Sequence, residues 1–298
     1  MFALLALCAV ARSSLAQQPG GNRIDGISTA QAVEELIHGA DTAGQFSRVT
    51  VSDTLSIRNR ACKCQARKRS VQPWVKADFD GNGHTDLLAI GDDNRQEVLL
   101  VMAFGSDKYH VRRVNSGSKY CFLPVVANEG GTRLIEAKSY ARRFGGALGP
   151  SRHYRLVYKH GGLLEHNARP AVHRVESVAL TYFMSYHSTT KVDLTITRSG
   201  FVVCREETDG VVKNRVAMLA KEEFEALNGL VNYAGVARQR SSYTRSGNHH
   251  ANYYLTVAYE GSFKQIDDDG GEGSMGLELL YEKILALRES LHWQEVQQ

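Results

Sequence analysis

The most chemically informative stretch of the sequence is a short acidic and glycine-rich loop at residues 78–86. Side-chain oxygens fall at loop positions one, three, five and nine, on Asp78, Asp80, Asn82 and Asp86. With Gly83 at position six for the sharp turn, this spacing wraps a short backbone around a hard cation that needs about six to eight oxygen ligands. The carbonyl of His84 would supply the ligand at position seven. The spacing therefore predicts a calcium site.

This loop is not an EF-hand, because Ala89 stands at position twelve, where that motif needs a bidentate glutamate. The alternative is a polar hairpin turn without metal, although its carboxylates would then repel one another. Extracellular calcium modules have dissociation constants of about 0.1 to 1 mM. At millimolar calcium such a site adds about 0.4 to 1.4 kcal/mol to folding stability. We therefore expect a structural ion that takes no part in catalysis.

Residues 75–91, VKADFDGNGHTDLLAIG, resemble the calcium loop of FG-GAP or VCBS-type repeats, which joins two strands of a propeller blade. The resemblance implies calcium bound by Asp78, Asp80, Asn82, the His84 carbonyl and Asp86. A propeller typically needs about four to eight blades, and the sequence shows no second copy of the motif. We predict a small β-domain that carries one such loop.

Three other groups of residues could do chemistry, and each has a simpler interpretation. A basic run could bind phosphate, sulfate or an acidic polysaccharide, but a solvated loop explains it; its members are Arg58, Arg60, Lys63, Arg67, Lys68 and Arg69. Residues 267–272 could hold a second calcium or an acid/base pair, but also fit a charged turn. His249 and His250 would point to opposite faces of a strand, so they cannot chelate one ion.

Motifs of the common enzyme classes are absent from the sequence. It has no His-Glu-x-x-His, no Gly-x-Ser-x-Gly, no Walker loop and no Rossmann fingerprint. A triad assembled from distant positions, or a glycosidase carboxylate pair, would be invisible at this level because tertiary structure sets its geometry.

The residues considered above lie in a chain whose two halves differ in their predicted secondary structure. The first has a helix at 29–38 and then strands at 46–57, 74–77, 86–90, 97–104, 110–114, 132–137 and 154–158. The second has strands at 177–183, 191–197, 200–205, 253–259 and 263–266, with helices at 219–233 and 275–291. The predicted class is α+β. A β-rich domain with the calcium loop spans 27–167, and an antiparallel sheet packed with two helices spans 172–293.

The second half is similar to a domain of unknown function found in secreted bacterial proteins. The similar segments are residues 224–233, 253–259, and 267–276 leading into a helix that ends at Trp293. That family is expected to carry a Cys-x-Gly-x-Cys-Pro-like segment before its first hairpin, where this chain has residues 183–189 instead. The resemblance implies a fold and an exported location.

The start of the chain predicts export. Residues 1–10 form an apolar run followed by Ser14, Leu15 and Ala16, which suit signal peptidase, so residues 1–16 are interpreted as a signal peptide. Residues 17–26 are polar and glycine-rich and are predicted to be a disordered leader. No segment approaches the about 20 apolar residues needed to span a bilayer. A secreted, periplasmic or cell-envelope location follows.

Four cysteines remain after the signal: Cys62, Cys64, Cys121 and Cys204. In an exported protein disulfides are plausible. Because Cys62 and Cys64 are too close to bridge each other without strain, one of them is expected to reach Cys121. Cys204 would be free or pair with the other. A Cys-x-Cys zinc site is the alternative, but no second ligand pair has comparable spacing.

Composition narrows the function classes without choosing one. The chain has 298 residues, is 43% hydrophobic and 23% charged, and carries a net charge of +4, which is too small and evenly mixed to indicate nucleic acid as the main partner. We predict a calcium-stabilised, non-catalytic protein that recognises a protein or glycan. The alternatives are a secreted hydrolase acting on peptide or glycan and a purely structural component of the envelope. The oligomeric state is not predicted.

Overall fold

The computed structural model describes residues 21–114, 121–142, 147–184, 190–244 and 251–296. The predicted signal peptide and the pair His249 and His250 lie outside these residues. None of the helices in the described ranges is both long and apolar enough to cross a membrane.

The described residues are rich in β-structure, compatible with the predicted α+β class. The helices are α1 (Ala30–Ala40), α2 (Arg60–Lys68), α3 (Lys221–Tyr233) and α4 (Met275–Ser290). The strands up to residue 165 are β1 (Trp74–Ala77), β2 (Asp86–Asp92), β3 (Gln96–Ala103), β4 (Tyr109–Arg113), β5 (Cys121–Glu129), β6 (Thr132–Arg142), β7 (Leu148–Lys159) and β8 (Gly162–Glu165). Those that follow are β9 (Val175–Met184), β10 (Thr190–Thr197), β11 (Phe201–Thr208), β12 (Val211–Met218), β13 (Ser242–Thr244), β14 (Ala251–Tyr259), β15 (Ser262–Asp269) and β16 (Gln294–Glu295).

Two antiparallel meanders build the first half. The first sheet has the order β1-β2-β3-β4 and the second has the order β5-β6-β7-β8. Leu100 of the first sheet and Phe122 of the second are fully buried in one shared core. The opposite face of the first sheet is covered by α1, whose Val33 and Ile37 lie one helical turn apart on its buried side. Thr29 caps α1 by accepting a hydrogen bond from the Ala32 amide.

The third sheet has the order β13-β15-β14-β9-β10-β11-β12-β16 and is antiparallel except for the parallel pair β13 and β15. One of its faces packs against α3 and α4 through residues such as Phe224 and Leu280. Leu134 and Leu164 of the second sheet belong to the same core. Apolar packing therefore continues across the connector between the two halves.

Residues 22–26 differ from the expected disordered leader. Asn22 and Ile24 are buried, with 7% and 0% of their surface exposed. The Asn22 side chain donates a 2.8 Å hydrogen bond to the Thr85 carbonyl and accepts one from the Ile24 amide. Ile24 packs with α1 and the first sheet. The burial of Ile24 and the hydrogen bonds of the Asn22 side chain therefore hold in place a segment whose composition predicts disorder.

Residues 46–57 do not form the expected strand. Thr50 makes an isolated bridge with Asp92, and no longer ladder forms there. Phe46 and Val49 are instead buried beside α1. Leu55 and Ile57 pack instead in the core shared by the first two sheets. The apolar residues of this segment are therefore buried without a partner strand.

The basic run lies partly on α2, where a solvated loop was expected. Asn59 caps the helix by accepting a hydrogen bond from the Cys62 amide. Cys62 and Ala66, four residues apart, form its buried side, so the charged side chains occupy the remaining surface. Arg58, just before the helix, makes a bidentate ion pair with Asp92 at 2.8 Å.

Cys62 is disulfide-bonded to Cys121, with Cα atoms 5.8 Å apart, which confirms a bridge from the Cys-x-Cys pair to Cys121. The bond ties α2 to the start of β5. Cys64 is exposed and Cys204 is buried, and neither is bridged. The bridge is compatible with an oxidising compartment.

Candidate functional site

The acidic loop connects the first two strands of the first sheet. Ala77 at the end of β1 pairs with Asp86 at the start of β2. Residues 78–85 therefore leave the sheet and return to it within a few ångströms. Because the two ends of the loop lie side by side, Asp78 and Asp86 lie close together.

Three of the predicted ligands converge. Asp78, Asp80 and Asp86 each offer a carboxylate oxygen, and these oxygens all lie within 4.8 Å of one another. A cation with ligand distances of about 2.3 to 2.6 Å keeps any two of its ligands within about 5 Å. The three carboxylates thus satisfy the distance condition for a shared calcium ion. Among the described residues, no other group of three acidic, histidine or cysteine side chains converges in this way.

Asp86 is the buried anchor of the group, with 0% of its surface exposed. Its two oxygens accept 2.8 Å hydrogen bonds from the amides of Phe79 and Ala103, which joins the loop to β3. Burial raises the pKa of Asp86 to about 7, and the charges of Asp80 and Asp78 contribute in the same direction. A positive ion between the carboxylates would relieve both effects.

Asp78 organises the turn. Its oxygens accept hydrogen bonds from the amides of Gly81, Asn82 and Gly83, at 2.7, 3.2 and 2.9 Å. Gly81 and Gly83 have φ of +76° and +83°, a region that side-chain-bearing residues rarely adopt. Burial raises the pKa of Asp80, and neighbouring Asp78 adds to that rise.

The two remaining predicted ligands are Asn82 and His84. The Asn82 amide nitrogen donates to Asp80 and to the Ala103 carbonyl, while its oxygen accepts from the His84 amide at 2.7 Å. Nδ1 of the half-buried His84 has no hydrogen-bond partner among the described residues. The side-chain oxygen of Asn82 is therefore hydrogen-bonded to the backbone of the loop, and its nitrogen rather than its oxygen faces Asp80. The roles of Asn82 and of the His84 carbonyl as ligands stay predictions.

The loop is also held from outside by the segment that precedes α1. Thr85, between two predicted ligand positions, donates a 2.6 Å hydrogen bond to Asp25, and its carbonyl accepts one from Asn22. This bond to Thr85 is the main cause that lowers the pKa of Asp25. Sequence reasoning missed this support because it assigned these residues to a disordered leader.

The second acidic stretch, residues 267–272, ends β15 and begins the following turn. Asp268 is buried and accepts hydrogen bonds from the amides of Glu272 and Gly273, at 2.8 and 3.2 Å. Burial raises the pKa of its carboxyl group. The arrangement is that of a charged turn in which the Asp268 carboxylate accepts hydrogen bonds from the backbone.

Sequence reasoning also missed a cavity of about 330 Å³ between the second and third sheets and α4. Acidic side chains and tyrosines line much of it, including Glu278 and Tyr281 of α4. Glu278 and Glu282 repeat at helical spacing on α4, but that spacing is equally typical of a solvated helix face and does not reveal a cavity.

Comparisons of the chain with protein-family models, with curated proteins and with solved structures found no match. The FG-GAP or VCBS resemblance and the resemblance of the second half to a domain of unknown function therefore stay predictions.

Proposed function

We propose that the protein is a non-catalytic binding protein of the exported space, secreted or held in the periplasm or envelope, that recognises a protein or glycan. Calcium stabilises its first half, bound by Asp78, Asp80, Asn82, the His84 carbonyl and Asp86. The observation that carries the calcium proposal is the convergence of three carboxylates within 4.8 Å in one short loop.

The ligand atoms and the position of the loop support this proposal. Its donors are oxygens, which hard cations prefer, and the loop joins two adjacent strands of a four-stranded antiparallel meander. The FG-GAP or VCBS resemblance implies the same position between two strands of a blade. In this proposal the ion fixes the turn from β1 to β2 and offsets the repulsion among the carboxylates.

A binding role is favoured over Ser- or Cys-dependent hydrolysis by the side chains around the cavity between the second sheet, the third sheet and α4. Among the described residues that line it there is no serine, cysteine, threonine or histidine. A nucleophile with a neighbouring base, which such a hydrolase needs, is therefore not found at that place.

Calcium titrated into the metal-free protein is expected to bind at one site with a dissociation constant of about 0.1 to 1 mM. Asp80→Ala should abolish this binding, because it removes one of the converging carboxylates. Isothermal titration calorimetry measures both.

The matched control is Asp107→Ala, which removes an exposed carboxylate from the turn between β3 and β4. It should bind calcium like the original chain. Calcium binding that survives Asp80→Ala, or that is lost equally in Asp107→Ala, would contradict the assignment.

Asp80→Asn should have opposite effects with and without calcium. The folded state raises the pKa of Asp80, so at neutral pH its charge opposes folding when no cation is present. In EDTA the variant should therefore melt at the same or a higher temperature than the original chain. In millimolar calcium it should melt at a lower temperature, because the original chain gains about 0.4 to 1.4 kcal/mol from the ion.

The pH dependence supplies the control for this crossover. As the pH falls below the unfolded-state value of 3.8, Asp80 becomes neutral in both states, and any advantage of Asp80→Asn in EDTA should disappear. A variant that melts lower than the original chain by the same amount in EDTA and in calcium would refute the electrostatic explanation.

A further inference from the structure

The third sheet has one face that no layer of the described chain covers. The helices α3 and α4 pack on the other face, where Leu255 of β14 and Cys204 of β11 lie in the core. Successive side chains of a strand point to opposite faces, so the neighbouring Tyr254 and Val203 point away from the helices. We call this side the open face. Among the described residues, none of its apolar side chains belongs to a buried core.

One row of side chains crosses the open face from β15 to β12. The pairing of the strands places its members in the order Phe263, Ala258, Ser177, Thr197, Phe201 and Met218. Phe263 is 68% exposed at one end of the row, and Phe201 and Met218 are 42% and 64% exposed at the other. Large apolar side chains therefore lie at both ends, with small or hydroxyl-bearing side chains between them.

A second row, four residues further along β15, is polar. In the same order across the sheet, its members are Asp267, Tyr254, Thr181, Asp193, Arg205 and Asn214. Arg205 makes an ion pair with Asp193 at 3.6 Å. Asp267 makes no ion pair among the described residues. A carboxylate thus lies towards one end of this row and a guanidinium towards the other.

The apolar row is complementary to itself. When two open faces are packed around a twofold axis that runs parallel to the strands, between β9 and β10, the order of the strands is reversed in the second copy. Phe263 of each copy then faces Met218 of the other copy. Ala258 faces Phe201, so that a small side chain lies opposite a large one. Each copy supplies both halves of the apolar contact.

The same axis brings opposite charges together. Arg205 of one copy faces Tyr254 of the other and lies beside its Asp267. A guanidinium in that position can stack on the ring and pair with the carboxylate. A twofold axis perpendicular to the strands would instead place Phe263 against Asp269 of the other copy. The charges and the apolar side chains therefore favour the parallel axis.

The open face has the area that a stable interface needs. It is formed by six strands of eight to ten residues, namely β15, β14, β9, β10, β11 and β12. With about 4.8 Å between strands and about 3.4 Å per residue, such a face covers about 800 Å². An interface of standard size buries about 800 Å² on each partner. Two antiparallel sheets packed face to face are the arrangement of a β-sandwich.

We propose that the protein forms a twofold symmetric dimer in which the open faces of the third sheets of two copies pack against each other. A second copy fits this face because the two ends of each row match one another. The inference goes beyond the proposed function, and it requires neither the calcium ion nor the ligand proposed above.

Sedimentation equilibrium of the full chain, in EDTA and in millimolar calcium, tests the proposal. Over a concentration range of about 1 to 100 µM we expect a monomer–dimer equilibrium with a dissociation constant of about 10 µM or lower in both solutions. A chain that stays monomeric over this range overturns the proposal and leaves the open face to an unlike partner. Loss of calcium binding with an unchanged dimer would contradict only the calcium assignment.

A charge at the end of the apolar row should prevent the contact. Phe263→Lys is expected to weaken dimerisation about tenfold or more, because it places an ammonium group against Met218 of the other copy. The matched control is Phe104→Lys, which changes a 44% exposed phenylalanine in the turn after β3. The control should dimerise like the original chain. An unchanged dimer in Phe263→Lys, or equal weakening in both variants, overturns the proposal, and circular dichroism checks that each variant is folded.

Paired cysteines test the axis itself. In a Cys64→Ala background, which removes the exposed thiol, Phe263→Cys is combined with Met218→Cys. Within one copy these positions are about 24 Å apart, five strand spacings, which is too far for a disulfide. Across the proposed axis they face each other, so mild oxidation should give a covalent dimer. Phe263→Cys combined with Phe104→Cys should give none. A dimer that fails to cross-link through 263 and 218, or that cross-links equally in the control, overturns the proposed interface.

Discussion

Replacing Cys62 and Cys121 together with alanine is expected to lower the free energy of unfolding by about 4 kcal/mol. The two residues are 59 positions apart, and cross-linking a loop of that length removes about this much conformational entropy from the unfolded chain. Both cysteines are buried, with 1% and 0% of their surface exposed, so alanine keeps the site apolar. Urea unfolding under non-reducing conditions measures the difference.

The control for this experiment is Cys64→Ala, two residues away on the same helix. Its thiol is exposed and unbridged, so the variant should lie within about 0.5 kcal/mol of the original chain. A reducing agent should bring the original chain to the level of the double variant. If Cys64→Ala is the destabilising change instead, Cys64 rather than Cys62 forms the bridge.

Asp86→Ala is expected to lower the free energy of unfolding by about 2 to 4 kcal/mol, even in EDTA. The substitution leaves the buried amides of Phe79 and Ala103 without their acceptor, and each such loss costs about 1 to 3 kcal/mol. Removing a carboxylate whose pKa is raised to about 7 by burial returns part of that cost. Calcium should give the variant no stabilisation. Urea titrations in EDTA and in calcium measure both effects.

Asp78→Ala is the matched comparison, because it removes another member of the same cluster. The amides that Asp78 accepts from belong to the exposed residues Gly81, Asn82 and Gly83, where water can replace the carboxylate. We expect little loss of stability in EDTA and complete loss of the calcium response. If Asp78→Ala and Asp86→Ala lowered the free energy of unfolding equally in EDTA, the burial of the amides bonded to Asp86 would not explain its contribution to stability.

The spacing of residues in the acidic loop predicted its structure better than apolar alternation predicted the strands. Residues 78–86 carry their own turn glycines and acceptors, so the convergence of Asp78, Asp80 and Asp86 depends on nearby residues. The hydrogen bond from Ala103 to Asp86 comes from β3, and no local pattern could reveal it.

Helices with regular apolar spacing were predicted well, whereas α2 was missed. Residues 275–291 were expected to be helical, and α4 spans Met275–Ser290. In α2, only Cys62 and Ala66 are buried. Two small buried residues among many charged ones do not give the regular apolar spacing from which a helix is predicted. The cap Asn59 and the basic residues of the last turn were the available signals.

Two missed strands show how sheet position overrides composition. β5 (Cys121–Glu129) contains Pro124, which argues against a central strand, but β5 lies at the edge of the second sheet. β12 (Val211–Met218) is largely exposed and does not alternate clearly. The cavity was beyond sequence reasoning because its walls come from strands and a helix far apart in the chain.

A crystal structure of the protein grown in millimolar calcium would show directly whether the loop holds an ion. We expect an ion within about 2.3 to 2.6 Å of oxygens from Asp78, Asp80 and Asp86, with Asn82 and the His84 carbonyl as its further ligands. The calcium assignment would be contradicted if, at that concentration, no ion were present and the carboxylates of Asp78, Asp80 and Asp86 pointed away from one another.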